Sequence, residues 1–366
     1  MTGEIQVAAQ FLTAGSGGIS RCARLTIMAL DGVAQVSALA VEDDGPTVIG
    51  GVTTRAFAGN RSAFVAANAL GALRHDWVLY DFAGTARAHA PLSLVGRPYA
   101  LWAHGWEVWP GNLRADYAKV LRGAKAVFVN SRHTGERLRQ SLPDITTIRR
   151  CLLGTERDAD RASCGPIRAR REKLVLFVGR NDEMFAKGQD VLIAAWPAVI
   201  AAAPDAMLCF VGGGERLGRL RALAATSPAA ASIKVMGQLS ESEVADLYRR
   251  SRLFAMLSQV EGFGLVFAEA MSHGAPVLTA NEDASTEISV DGHTGYAVDR
   301  ADLAQVAARI VAVLNHDALF EQLSRAAYQR WVSEYCFSAF RDRFLAAATA
   351  AGLAPRARHA VGDVSR

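Results

Sequence analysis

Residues 258–276 (Ser-Gln-Val-Glu-Gly-Phe-Gly-Leu-Val-Phe-Ala-Glu-Ala-Met-Ser-His-Gly-Ala-Pro) constrain the fold of this chain more than any other stretch. The run before them, Arg252 to Leu257, is short and mostly apolar, which predicts a strand. Glu261-Gly-Phe-Gly264 then predicts a turn. Leu265, Val266, Ala268, Ala270 and Met271 continue at helical density until Gly274 and Pro276 stop the helix. A strand, a glycine turn and a helix in this order put free backbone N–H groups and the positive end of a helix dipole at the mouth of a parallel sheet, where an anion can sit. Gly262 and Gly264 let the backbone approach a ligand with no Cβ in the way.

Two carboxylates bracket the turn. Glu261 lies in the loop, and Glu269 lies about one and a half turns into the helix. A carboxylate accepts hydrogen bonds in pairs, which suits the adjacent hydroxyls of a sugar or a ribose, and the turn amides between them would hold a diphosphate. Taken alone, the turn fits equally well a packing glycine beside two solvated glutamates.

The rest of the chain alternates in the same way. Glu4 to Phe11 predicts a strand, followed by a glycine loop (Thr13-Ala-Gly-Ser-Gly-Gly-Ile19) and a helix to Leu30. Gly15, Gly17 and Gly18 are too closely spaced for a full dinucleotide fingerprint. Val33 to Val41 predicts the next strand, 42–51 a loop and Arg61 to Leu73 a helix. Asp76 to Phe82, Pro98 to His104 and Ala124 to Asn130 are further strands, and Ser131 caps the helix after the last of them. Residues 154–165 are polar and turn-rich and predict a linker. Lys173 to Gly179 is the near-continuous apolar run of a parallel strand covered on both faces. Ala206 to Val211, Ser232 to Met236, Ala275 to Ala280 and Gly295 to Val298 follow as strands. Ser240 with Glu243 forms a capping box for a helix to Arg250, and three helices span 301–350. This pattern predicts two doubly wound α/β domains with parallel sheets facing each other across a cleft. Residues 1–165 would form the first, 166–335 the second, and 336–366 a helix packing back on the first plus a basic, frayed tail.

A length of 366 residues exceeds the ~250–300 at which one core divides, in keeping with two domains. No apolar run reaches the ~18 residues of a membrane span. The start at Met1 enters strand pattern directly and lacks the regions of a signal peptide, so a cytoplasmic protein is expected. The five cysteines (22, 151, 164, 209, 336) and eight histidines form no paired metal spacing, and no metal or cofactor is expected. The net charge of +4 is mild, but residues 114–150 hold nine Lys or Arg against three acids. That run suits either a solvated helical face or a surface that meets anionic lipid, which would hold the protein at the inner face of the membrane. Nucleic acid is not expected, because no aromatic-interleaved basic stretch accompanies it.

Single elements can now be given chemistry. His104 falls where a strand leaves the sheet, the edge on which open α/β folds bind ligands, with Glu107 three residues on. A lone histidine there is more often structural. Arg180 and Lys187 follow the second domain's first strand, and two such cations could neutralise a diphosphate without a metal. The string from Glu261 to Glu269, with its Gly-Phe-Gly, Glu-Ala-Met and Gly-Ala-Pro-Val flanks, resembles the Glu, seven residues, Glu motif of retaining glycosyltransferases of family 4. His104-Gly-Trp-Glu-Val-Trp109 is similar to a segment of the family's bacterial exopolysaccharide mannosyl- and glucosyltransferases. Phe177-Val-Gly-Arg180 with Lys187-Gly188, and Phe210-Val-Gly-Gly-Gly-Glu215, also resemble family segments. One departure stands out: relatives often have Gly-Gly before a Glu where this chain has Asp283-Ala-Ser-Thr-Glu287.

The resemblance implies the GT-B fold and transfer of a sugar from a nucleotide-diphosphate donor with retention. It implies that Glu269 holds the ribose and Glu261 the donor sugar. Arg180, Lys187 and the amides around Gly262, Phe263, Gly264 and Leu265 would hold the diphosphate, and Gly17 and Gly18 would close over it. His104 would stand beside the donor sugar, and the loop Met236 to Leu239 near the base. GDP-mannose is favoured over UDP-glucose, and a lipid-linked glycan is the implied acceptor. Three other activities suit the same architecture. A phosphorylase would need pyridoxal phosphate on a lysine, visible by absorbance. A nucleotide-sugar epimerase would act on the donor alone, and a non-catalytic binder would not turn over.

Overall fold

The computed structural model describes residues 3–89, 97–158, 171–181 and 187–353. The chain divides into two compact units, Met1–Glu156 with Phe337–Arg366, and Arg157–Cys336. Each is built on its own sheet.

The first unit's strands are β1 (Glu4–Ala9), β2 (Gln35–Ala40), β3 (Val48–Ile49), β4 (Val52–Ala56), β5 (Trp77–Tyr80), β6 (Tyr99–Ala103), β7 (Ala126–Val129) and β8 (Ile148–Arg150). They lie in the order β3-β4-β2-β1-β5-β6-β7-β8. Every pairing is parallel except β3 with β4. The helices between them are α1 (Gly18–Leu30), α2 (Arg61–Arg74), α3 (Ala83–Ala86), α4 (Ala115–Gly123) and α5 (Arg132–Ser141). The apolar run Tyr-Ala-Leu-Trp-Ala of β6 is buried throughout, as a strand with cover on both faces requires. Ser131 accepts the N–H of Thr134 and caps α5.

The second unit's strands are β9 (Glu172–Val178), β10 (Met207–Val211), β11 (Ile233–Gly237), β12 (Ser251–Met256), β13 (Val277–Ala280) and β14 (Gly295–Val298). All are parallel, in the order β11-β10-β9-β12-β13-β14. Its helices are α6 (Gln189–Ala202), α7 (Leu217–Ala225), α8 (Glu241–Arg250), α9 (Leu265–Ser272), α10 (Ser285–Ile288), α11 (Leu303–Asn315) and α12 (Asp317–Arg330). The capping box of Ser240 and Glu243 is formed in both directions at α8. A five-residue π-helix, Trp331–Tyr335, closes the unit. The last helix, α13 (Phe337–Ala350), belongs to the first unit, where Phe340 and Phe344 stack near Trp102 at 6.4 and 6.1 Å.

Two strands differ from the sequence expectation. Residues 42–51 are not all loop, because Val48–Ile49 pairs antiparallel with β4 as a hairpin at the sheet edge. The second is β8, three residues long and carrying Arg149 and Arg150, which lies inside the run read as a basic surface. Both segments are too short to show a strand period. No single helix among the described residues is long and apolar enough to cross a membrane.

In each unit the two halves of the sheet diverge from the first strand. The second unit's order is that of the dinucleotide folds, and its switch point lies between β9 and β12. The first unit's switch point lies between β1 and β5. Ligands of such sheets bind outside the carboxyl ends of the strands at these points.

Candidate functional site

In the second unit the loops after β9 and β12 flank the switch point, and they carry Arg180, Lys187, Glu261 and the turn to α9. Lys187 Nζ lies 3.3 Å from Glu261 Oε2, with side chains 23% and 17% exposed. The two charges come from positions 74 residues apart. Gly264 precedes α9 at φ +89°, and a Cβ there would meet the Phe267 ring at 2.5 Å. Glycine is therefore required at this position for the chain to enter the helix. Phe263 is buried and packs edge-to-face on Tyr335 at 6.0 Å, and Leu265 is buried as well. These two side chains anchor the turn, and its backbone carries the polar groups. Glu269 lies on α9, where the buried Tyr248 donates to its Oε2 at 3.2 Å.

Asp283 contributes a support that local reading missed. This buried carboxylate accepts the Glu261 N–H at 2.7 Å through Oδ2, and the Ser285 N–H and O–H at 3.0 and 2.6 Å through Oδ1. In return the Ala284 N–H donates to the Glu261 carbonyl at 3.3 Å. The loop that departs from the family pattern thus straps the backbone of Glu261 at two points. Burial raises the Asp283 carboxyl to about 6, with the Glu261 charge adding to the rise and the bonds from Ser285 and Glu261 opposing it. The spacing of 22 residues leaves no local signal for this contact.

The glycine turn after β10 has its own geometry. Gly212 donates to the Gly237 carbonyl at 2.8 Å, and Gly213 accepts from the Asn181 N–H at 2.8 Å. A Cβ at Gly212 would lie 2.0 Å from the Gly179 carbonyl oxygen, and one at Gly214 2.4 Å from that of Asn181. These glycines dock the loop after β10 onto the one carrying Arg180. Arg180 itself is exposed, as is Met236 at the end of β11.

In the first unit the loop Thr13–Gly17 and the start of α1 lie at the switch point. The Leu12 and Thr13 N–H groups donate to Asp43 Oδ2 at 2.9 and 3.1 Å, and the Gln10 N–H donates to Asp81 Oδ2 at 2.7 Å. Gly17 has φ +101°, and a Cβ at Gly17 or Gly18 would meet nothing within 4 Å. His104 follows β6, with Nε2 2.7 Å from the Asp81 carbonyl oxygen. A carbonyl only accepts, so Nε2 carries the proton and Nδ1 is the acceptor of the neutral ring. Burial lowers the His104 pKa against the raising effect of Glu107, whose Oε1 accepts the backbone N–H of His104 at 2.6 Å. The Asp81 carboxyl is pushed up to about 7 by its burial.

Three cations of the basic run are paired with acids. Asp116, Glu136 and Asp144 bind Arg114, Arg132 and Arg122 at 2.9, 3.9 and 2.7 Å. Lys119, Lys125, Arg137, Arg139 and Arg150 are exposed on the same segment. A concavity of about 490 Å³ lies among them, lined by Pro110, Leu113, Ala118, Arg122, Gln140 and Leu142, and it includes none of the candidate site residues. Among the described residues no group of three or more His, Cys, Asp or Glu side chains is placed to hold a metal.

Known proteins share this architecture. Anabaena HepE, solved in complex with UDP and glucose, superposes with a TM-score of 0.76 at 17% identity, covering 95% of this chain and 99% of its own. Sucrose-phosphate synthase from Thermosynechococcus elongatus gives 0.76 at 18% identity, covering 93% and 97%. The fold is GT-B. Residues 166–330 match the family model described as "Glycosyl transferases group 1". The phosphatidyl-myo-inositol mannosyltransferase of Mycobacterium leprae is 35% identical over 151 residues, which are 41% of this chain and 39% of that protein. A GDP-mannose-dependent monoacylated alpha-(1-6)-phosphatidylinositol monomannoside mannosyltransferase of Corynebacterium glutamicum is 28% identical over 64% of both chains. The matched region spans about two fifths of the mycobacterial relatives' length.

Proposed function

We propose that the chain is a retaining glycosyltransferase that moves a hexosyl group from a nucleotide-diphosphate sugar to a glycan acceptor. The observation that carries this is the pairing of Lys187 with Glu261 beside the amides of the α9 turn, with Glu269 further along the same helix. A diphosphate needs cations and oriented N–H groups, and the sugar and ribose at its two ends need acceptors. Glu269 grips the ribose, Lys187, Arg180 and the amides of Gly262 to Leu265 bind the diphosphate, and Glu261 holds the donor sugar. On the resemblance, Gly17 and Gly18 are assigned to the diphosphate and His104 to the acceptor side of the donor sugar.

Both glutamates are occupied with hydroxyls in this scheme, so attack proceeds on one face of the sugar. The acceptor oxygen bonds to the anomeric carbon as the bond to the phosphate oxygen breaks, and that oxygen takes the acceptor's proton. The cations and amides stabilise the leaving diphosphate, and turnover should persist in EDTA. Restoration by Mg²⁺ or Mn²⁺ of activity lost to EDTA would reject the metal-free scheme.

GDP-mannose is the first donor to test, because the Corynebacterium relative is named for it, and UDP-glucose the second, because HepE was also solved with it. A lipid-linked acceptor at an anionic membrane is supported by the exposed cations of 114–150. Sedimentation with anionic but not neutral vesicles, weakening with salt, tests that contact.

Glu269→Gln keeps the shape and removes the charge, so a nucleoside diphosphate should bind roughly ten- to a hundredfold more weakly, as hydrogen bonds to charged groups are worth ~1.5–3 kcal/mol. Glu261→Gln should bind it almost as wild type and lose turnover instead. Calorimetry beside turnover assays reads both effects. Two variants that bind and turn over normally would move the site elsewhere.

A further inference from the structure

Helix α8 ends against the flank of α9, and Tyr248 is the side chain that crosses between them. Its hydroxyl donates to Glu269 Oε2 at 3.2 Å, with the Val266 carbonyl oxygen at 3.4 Å. The ring is 2% exposed and held on two sides, parallel to His273 at 5.7 Å and tilted on Phe254 at 5.9 Å. The backbone beneath it is fixed too. Arg171 Nη1 donates to the Tyr248 and Ser251 carbonyls at 3.3 and 3.0 Å, and Nη2 donates to the His273 carbonyl. One guanidinium therefore ties the end of α8 to the end of α9.

The phenol is thus a fixed donor set beside the Glu269 carboxylate. Phenylalanine would fill the same apolar space. The hydroxyl's distinct contribution is the direction it imposes on the carboxylate, as expected where a supporting shell pre-organises a binding group. A carboxylate can accept about four hydrogen bonds, so a protein donor and a vicinal diol are compatible on one group.

We propose that Tyr248 is a positioning residue that orients Glu269 toward the two ribose hydroxyls of a nucleoside diphosphate. This rests on the assignment of Glu269 to the nucleotide. The ligand chemistry it selects is a cis-diol, so the contribution of Tyr248 belongs to ribonucleotides and vanishes when the diol is absent. A tyrosine that only packs the core would affect every nucleotide alike.

The test is calorimetry on the full chain with uridine or guanosine diphosphate, whichever wild type binds more tightly, beside its 2′,3′-dideoxy counterpart. Tyr248→Phe should bind the ribonucleotide roughly tenfold more weakly and the dideoxynucleotide as wild type does, with donor KM raised and kcat nearly kept. Combined with Glu269→Gln, it should add little further loss, because the two groups act as one unit. Equal weakening toward both nucleotides, together with a lowered melting temperature, would reduce Tyr248 to a packing residue and overturn the proposal. Wild-type binding by Tyr248→Phe, with weakened binding by Glu269→Gln, would overturn it while leaving the assignment of Glu269 intact. If neither variant weakens binding, that assignment fails and the proposal with it.

Discussion

The two switch points use glycine for opposite purposes. Beside β1, Gly17 and Gly18 border open space, and a Cβ at either would touch nothing within 4 Å. Beside β9, Gly212 and Gly214 are pressed against backbone carbonyls, and a Cβ would enter them at 2.0 and 2.4 Å. The first pair leaves space at the mouth of the sheet. The second pair lets two loops dock so that their polar groups share one edge. A glycine-rich stretch in sequence thus has at least two physical readings, and only the neighbours distinguish them.

The largest effect should come from breaking the docked pair. Gly212→Ala places a Cβ on the Gly179 carbonyl at φ +132°, where L residues are strained as well. A loss of about 3–5 kcal/mol is expected. Gly213→Ala is the internal control, since its Cβ would meet only the Gln238 side chain at 3.4 Å and its φ is ordinary. It should stay within about 1 kcal/mol of wild type. Denaturant unfolding of the two variants side by side reads the contrast, and equal losses would show that docking is not what Gly212 provides.

Each switch point also has a buried aspartate that accepts a backbone N–H and whose carboxyl is raised, Asp81 beside β5 and Asp283 beside α10. Burial raises both carboxyls, to about 7 and about 6 against an ordinary 3.8. The folded chain therefore holds protons that the unfolded chain has released. The stability these groups contribute is fully present below about pH 4 and is lost as pH rises through about 6 for Asp283 and about 7 for Asp81. The change is on the order of 3 kcal/mol for Asp283 and 4 kcal/mol for Asp81, before relaxation reduces it. Urea midpoints from pH 4 to 8 should fall less steeply in Asp81→Asn and Asp283→Asn than in wild type. The two should differ in level. An amide at 81 can accept from the Gln10 N–H and donate to the Thr85 oxygen, whereas an amide at 283 leaves a donor of Glu261 or Ser285 unmatched. Only Asp283→Asn should carry that added cost, about 1–3 kcal/mol. Slopes that superpose on wild type would reject the titration of these carboxyls.

Legibility in the sequence follows the range of each contact. The alternation of apolar runs with helical stretches predicts the parallel pairing found throughout both sheets except at β3, and Ser131 and the Ser240–Glu243 box mark their helix starts correctly. Strand ends show where His104, Arg180 and Glu261 emerge, because position along a strand is local information. The hairpin of β3 with β4 escapes because its two-residue strand has no readable period. Asp283 under Glu261, Tyr248 beside Glu269 and Lys187 against Glu261 escape for another reason. These contacts join residues 21 to 74 positions apart, and no local pattern encodes which side chain a crossover brings to which strand end.

The smallest change in stability, and the sharpest test of the space beside β1, belongs to Gly17 and Gly18. Gly17→Ala forces a β-carbon into φ +101°, at a cost of about 1–2 kcal/mol with no collision. Gly18 is the first residue of α1 and its φ is ordinary, so alanine there should leave stability unchanged or raise it by about 0.5 kcal/mol through helix propensity and a less flexible unfolded chain. If the space is kept for a diphosphate, Gly18→Ala should nonetheless raise the donor KM or lower turnover severalfold, because the methyl group enters the volume the phosphates need. A variant at least as stable as wild type and poorer with donor cannot be explained by folding. Gly18→Ala with unchanged kinetics at every donor concentration would mean that the open space beside β1 is solvent-facing loop, and that the diphosphate is held by the loops after β9 and β12 alone.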